Sequence, residues 1–211
     1  MGTGVREVRQ PLLMITESRL IRSKDQPYDL WQPRSPFLQT IQQLETWYSS
    51  LPDLLLIHDL NAYVHKELNI LGAVYMLHFY FHTVVTDLTR ISLPGYAFPL
   101  ASAFRAAPLP FIRQCQNRCR YHADVISKLV RSGLVHGRLA FDDMHCATAA
   151  FEAAKIQIVH TATTGNGPEE RSRASDNIRA CIRLLDLARV GRNKPSHFVG
   201  CRYSAPSGLY T

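Results

Sequence analysis

Two histidines four residues apart, His78 and His82, stand in "YMLHFYFHTVVTDLTR" (75–90), the most apolar part of the chain. On a helix that spacing puts both rings on one face, as two zinc ligands require. The catalytic helix of a zinc protease would carry Glu directly after the first His, and Phe79 stands there instead. Asp87 is not on the same face, and no third ligand lies close in sequence. The two rings are therefore expected to be buried or half-buried side chains that hydrogen-bond to a neighbouring helix, and not metal ligands.

"CQNRCRYH" places Cys115, Cys119 and His122 on a second stripe, at i, i+4 and i+7. Ile112, Ile126 and Leu129 continue that stripe at spacings of three and four, so the thiols fall where small apolar residues belong. Structural zinc is usually held by close Cys-x-x-Cys pairs on a turn, not by three residues along one helix. Core packing is the expected role; a soft-metal site or a redox-sensitive thiol are the alternatives.

Catalytic signatures are missing from the sequence. There is no Gly-x-Ser-x-Gly elbow, no phosphate-binding loop ending in Lys-Ser/Thr and no dinucleotide fingerprint. Gly165-Asn166-Gly167 reads as a turn. The acid pairs Asp142-Asp143 and Glu169-Glu170 fall at expected helix starts, where they suit the helix dipole better than acid–base chemistry. Arg179, Arg183 and Arg189, and separately Arg113, Arg118, Arg120, Lys128 and Arg131, could line basic helical faces. Neither set is interleaved with stacking aromatics or placed in a helix-turn-helix, so solvated faces are expected. "RSRAS" (171–175) could accept phosphate but equally reads as a solvated loop.

The elements that must carry these residues are helical. "RSPFLQTIQQLETWYSSLP" opens with Ser35 as cap and Pro36 at the first helical position, repeats Leu38, Ile41, Leu44 and Tyr48, and stops at Pro52. A second helix is expected from about Leu60 to Ile91, ended by Pro94-Gly95, and a proline-rich connection follows over 94–110. A third spans Pro110–Arg131 with Gly133 just past its end. A fourth spans about 142–163 from a cap at Asp142 or Asp143. The segment 164–175 is expected as a loop, and a fifth helix covers 175–190 and ends at Gly191. No alternating strand pattern and no internal repeat are found. The expected fold is all-α, an irregular array of about five to seven helices around one long buried helix. Its domain limits are an irregular lead-in at 1–34, a helical domain at 35–194 and an irregular tail at 195–211.

Nineteen uncharged residues separate Glu67 from Asp87, about the shortest run that spans a bilayer. Asn69, His78, His82, Thr83 and Thr86 lie inside it, and no Lys/Arg-rich flank marks one side. A buried helix of a helical protein is the better reading, and no membrane is expected. The composition agrees: 46% hydrophobic and 19% charged residues are a globular mix, and 211 residues can bury a sizeable core. The net charge of +7 permits a polyanionic partner without requiring one. Five cysteines without framework spacing read as free thiols. No secretory leader opens the sequence.

Three of these stretches, in this order, resemble the fungus-specific transcription factor domain, the helical middle region of zinc binuclear cluster regulators. "IQQLETWYSSLPDLLL" is similar to its Leu-x-x-Trp-x-x-x-Leu-Pro helix, and "LPFIRQCQNRCRYHADVISKLV" to a later helix with Cys, Cys, His-Ala and Ile at these spacings. Between them "LHFYFHTVVTDLTR" resembles a long Leu-His-x-x-Tyr-His helix ending His-Arg-Pro. Leu77, His78, His82 and Arg90 match; Phe81, Thr89 and Ile91 replace Tyr, His and Pro, and Asp87 stands at a normally apolar place. The resemblance covers about 36–190. It implies a regulatory and interaction domain that controls RNA polymerase II transcription in the nucleus. Protein partners or self-association are implied, and a small-molecule effector is compatible. It implies no catalytic, cofactor, metal or nucleic-acid residues in this chain. Zinc and DNA would belong to a cluster module, whose Cys-x-x-Cys-x6-Cys run this sequence does not contain. The domain is expected to be incomplete at its C-terminal end, with Leu184, Leu185, Leu187 and Ala188 left as an uncovered apolar side that drives self-association. The alternative is a small helical metal-dependent or membrane-associated protein.

Overall fold

The side chain of Ser35 accepts a hydrogen bond from the Leu38 amide and donates one to the Leu30 carbonyl, and with Pro36 behind it a helix starts there. This helix, α1 (Pro36–Ser49), turns Phe37, Thr40, Ile41 and Leu44 inward. The computed structural model describes residues 29–95, 104, 106–141, 143–163 and 167–192. Five more α-helices follow among them: α2 (Asp59–Glu67), α3 (Leu71–Thr89), α4 (Leu109–Leu134), α5 (Met144–Thr163) and α6 (Pro168–Arg192). Short 3-10 turns lie at Asp53–Leu55, Arg90–Ser92 and Gly137–Leu139, and the described residues contain no strand. The all-α expectation holds. Residues 1–28 of the expected lead-in at 1–34, the cap at Asp142, residues 164–166 of the expected loop and the tail at 195–211 lie outside the described residues, as does most of the proline-rich connection.

The single helix expected from Leu60 to Ile91 is two helices. Asn69 takes a left-handed conformation (φ 53°), and around it the Ile70 amide bonds to the His65 carbonyl and the Asn69 amide to that of Lys66. That paired closure is a Schellman stop with Asn in place of Gly. It frees α3 to leave the direction of α2 and run through the interior, with twelve buried residues from Leu71 to Thr89. No helix among the described residues is long and apolar enough to cross a membrane.

α3 packs against α4, α4 against α5 and α6, and α5 against α6, while α1 and α2 rest on α3. The buried side of α5 is Cys146, Ala149, Ala150, Ala153, Ala154 and Ile156, and so small a surface lets its neighbours approach closely. A second core cluster joins α1 to the far half of α3 and the start of α4. Phe37 meets Phe104 and Phe111 there edge to face, with centroids 5.7 and 5.9 Å away, while Phe104 and Phe111 stack on each other.

Three further expectations are corrected. Gly133 does not follow the third helix but lies buried inside α4, because a Cβ there would collide with the Phe141 ring and come within 3.0 Å of Tyr75. The fifth helix starts at Pro168, not near Ser175. Pro168 suits a first helical position, Glu169 and Glu170 complement the dipole of the first turn, and "RSRAS" is therefore helical. Finally, the apolar side of that helix is covered in part, with Leu185 and Ala188 half-buried. Leu184 is buried in the same cluster as Ile126 and Ile156, and Leu187 packs against it.

Candidate functional site

The polar residues of α3 face α1 and α4 at the centre of the molecule. His78, His82 and His122 are each buried, and Tyr48, on the last turn of α1, is half-buried between the α3 rings. Tyr48 stacks flat on Phe81, with centroids 3.8 Å apart at 6°. Its hydroxyl then reaches His78 Nδ1 at 2.7 Å and His82 Nε2 at 3.3 Å. His78 Nε2 meets the Leu55 carbonyl at 2.7 Å, and His82 Nδ1 meets His122 Nδ1 at 2.8 Å.

The proton positions in this chain of contacts follow from one fixed end. The Leu55 carbonyl can only accept, so His78 donates from Nε2 and, being neutral, accepts at Nδ1. Tyr48 therefore donates its O–H to His78. Its oxygen is left to accept from His82 Nε2–H, which makes His82 Nδ1 the acceptor for His122 Nδ1–H. Four side chains and one carbonyl are satisfied in a single direction, with no ring charged.

The surroundings keep the rings neutral. Burial, reinforced by the proximity of His122 and then His78, pushes His82 down to about 2. Burial and the Arg118 guanidinium hold His122 at about 4. Burial also lowers His78 and, with a smaller contribution from Tyr121, raises Tyr48 to about 12. Burial thus favours the neutral form of each ring.

The second stripe is core. Cys115, Cys119, Ile126 and Leu129 are buried beside His122, and burial pushes the two thiols up to about 11 and about 12. Cys146 and Cys181 are also buried, and Cys201 lies outside the described residues. Among the described residues, no group of three or more His, Cys, Asp or Glu side chains converges as a metal site.

Of the two basic sets, several members have carboxylate partners. Arg118 pairs with Glu45 of α1 at 3.2 Å and Arg120 with Glu170 of α6. Arg179 pairs with Asp176 and Arg189 with Asp186 along the exposed side of α6. Arg113, Lys128, Arg131 and Arg183 are exposed. Asp143 receives the His145 amide at 2.8 Å, as a helix-start acid should.

A polar node missed from sequence ties three helices together. Asp124 of α4 accepts from Gln157 of α5 at 2.6 Å and from Asn177 of α6 at 3.1 Å. The available signal was a Gln and an Asn set within small-residue stripes, after Ala153 and Ala154 and between Ala174 and Cys181. Arg90 and Glu152 join α5 to the end of α3 at 2.6 Å. No family model, no curated protein and no solved structure matches the chain.

Proposed function

We propose that this chain is a regulatory and interaction domain of a fungal transcription regulator of the zinc-cluster type. It controls RNA polymerase II transcription in the nucleus through protein contacts, without catalysing a reaction and without reading DNA itself. One observation carries this reading. The three stretches that resemble the fungal transcription factor domain are far apart in sequence, yet His82, a matching position of the second, meets His122 of the third, and both His78 and His82 contact Tyr48, a residue of the first stretch outside its matched positions. This contact joins the second and third stretches through two of the positions that carry the resemblance.

The chemistry of the centre is compatible with such a role. Neutral His78 and His82, each hydrogen-bonded at both ring nitrogens, hold helices in register. The exposed arginines give weak, salt-sensitive attraction to duplex DNA with no sequence preference. The competing metal-dependent reading requires stoichiometric zinc on the purified chain, lost on His78→Ala and His82→Ala.

The test is to tether the whole chain to an unrelated DNA-binding module in a fungal cell and measure a reporter downstream of its site. A change in output that requires the chain, together with nuclear retention of the fusion, supports the proposal. Output equal to the module alone, with a folded and abundant fusion, contradicts it.

A further inference from the structure

α2 has an apolar face that nothing among the described residues covers. Leu60, Tyr63, Val64 and Leu68 are 79, 72, 43 and 54% exposed. They recur at i, i+3, i+4 and i+8, one helical stripe that also carries the exposed Glu67 at i+7. Isolated apolar residues on a surface need no explanation, but a stripe at helical period does. The opposite side of α2 is anchored, since His65 is buried, its Nε2 meets the Leu54 carbonyl at 2.6 Å, and Ala62 packs on the main core. The outward stripe is therefore not needed to hold the helix in place.

The charges beside the stripe select what covers it. Asp59 and Lys66 are seven residues apart, two turns, on the same flank of α2. When two copies of a helix pack antiparallel, equivalent flanks face each other and the sequence order is reversed. Asp59 of one copy then meets Lys66 of the other, twice, about a two-fold axis near Tyr63. Glu67 falls opposite the partner's first turn, which takes no side-chain cap among the described residues and whose amide dipoles favour an acid. A parallel two-fold pairing would instead turn this flank against the other flank of the partner, where the Asp59–Lys66 pairs cannot form.

We propose that two copies of this chain associate through α2, antiparallel about a two-fold axis, with Leu60, Tyr63, Val64 and Leu68 at the centre and reciprocal Asp59–Lys66 pairs at the edge. An isologous contact of this kind closes after two subunits and needs no second surface. The proposal uses only the pattern of α2 and stands whether or not the transcriptional reading does. The association expected from the last helix is thereby reassigned to α2.

The experiment is sedimentation of the full chain over a concentration series, with circular dichroism as the folding control. Leu60 and Tyr63 are exposed, so melting should be little changed in their double variant; Asp59→Lys and Lys66→Asp also set the wrong charge at an end of α2, and the chain with both changes is their control, since it carries both penalties yet should dimerise. The wild type is expected to be a monomer–dimer mixture, and Leu60→Glu/Tyr63→Glu a monomer. Asp59→Lys alone and Lys66→Asp alone should each weaken self-association about tenfold, because each sets like charges in contact. Mixing these two variants, or combining both changes in one chain, should restore it. A wild-type chain that stays monomeric overturns the proposal, including the case in which another segment of the chain shields Tyr63 from modification. A dimer indifferent to the α2 variants, or one that mixing fails to restore, overturns it too.

Discussion

At the scale of single residues, burial decides what chemistry is left. A ring that binds hydrogen-bond partners at both nitrogens and pays a desolvation cost for charge is a structural connector. Tyr48→Phe removes one oxygen and leaves two groups stranded, the acceptor at His78 Nδ1 and the donor at His82 Nε2. The expected loss is about 2 kcal/mol, within the usual range for a buried group deprived of its partner. His78→Ala and His82→Ala should each cost about 1–3 kcal/mol for the same reason. Urea denaturation measures all three, and the Tyr48→Phe/His82→Ala double variant should lose less than the sum, since the residues share a bond. Full additivity would show that the hydroxyl and the ring act separately. Gly133→Ala should also destabilise, by about 1–3 kcal/mol of overpacking, because its Cβ enters the space of the Phe141 ring. A neutral result would mean that Phe141 swings aside without loss.

At the scale of elements, local sequence set most boundaries and one left-handed residue set the most consequential. Asn69 ends α2 and so lets α3 begin on a new axis. Asn69→Gly should be neutral to slightly stabilising, whereas Asn69→Val should cost about 1–2 kcal/mol, the penalty of a left-handed conformation for a residue with a bulky Cβ. Thermal melts of the two variants distinguish this from a role for the Asn side chain, in which case both would be destabilised alike. Ser35→Ala removes a helix cap and a buried bond to Leu30 together, and should cost about 1–2 kcal/mol.

At the scale of the whole molecule, the buried histidines tie stability to acid. Their folded pKa values lie below the unfolded value near 6.5, at about 4 for His122 and about 2 for His82. Below pH 6.5 the unfolded chain therefore takes up protons that the folded chain refuses. Stability is fully present above that pH and is lost as pH falls toward 4 and below. For His122 alone the shift from 6.5 to about 4 corresponds to on the order of 3 kcal/mol. The melting temperature should be flat from pH 8 to 7 and fall steadily below 6, and His122→Leu should flatten the acid limb. An acid limb unchanged in that variant would assign it to other groups.

Much of this was written locally. The helical period of Leu38, Ile41 and Leu44, the Ser35–Pro36 start and the buried stripe of Cys115, Cys119, Ile126 and Leu129 are near-neighbour patterns, and the sequence by itself determined them, along with the all-α class. The break at Asn69 was written there too but went unread, because Asn is a weaker stop signal than Gly. The tertiary structure alone decided the rest. Which ring meets which, Tyr48 with His78 across thirty residues and His82 with His122 across forty, depends on the angles at which α1 and α4 cross α3. Those angles come from summed packing over many small contacts, and no spacing within one helix encodes them. The same holds for exposure. The stripes of α2 and α6 are both apolar in sequence, yet Leu184 is covered and Leu60 is not, because only the packed molecule fixes which helices have neighbours on both sides.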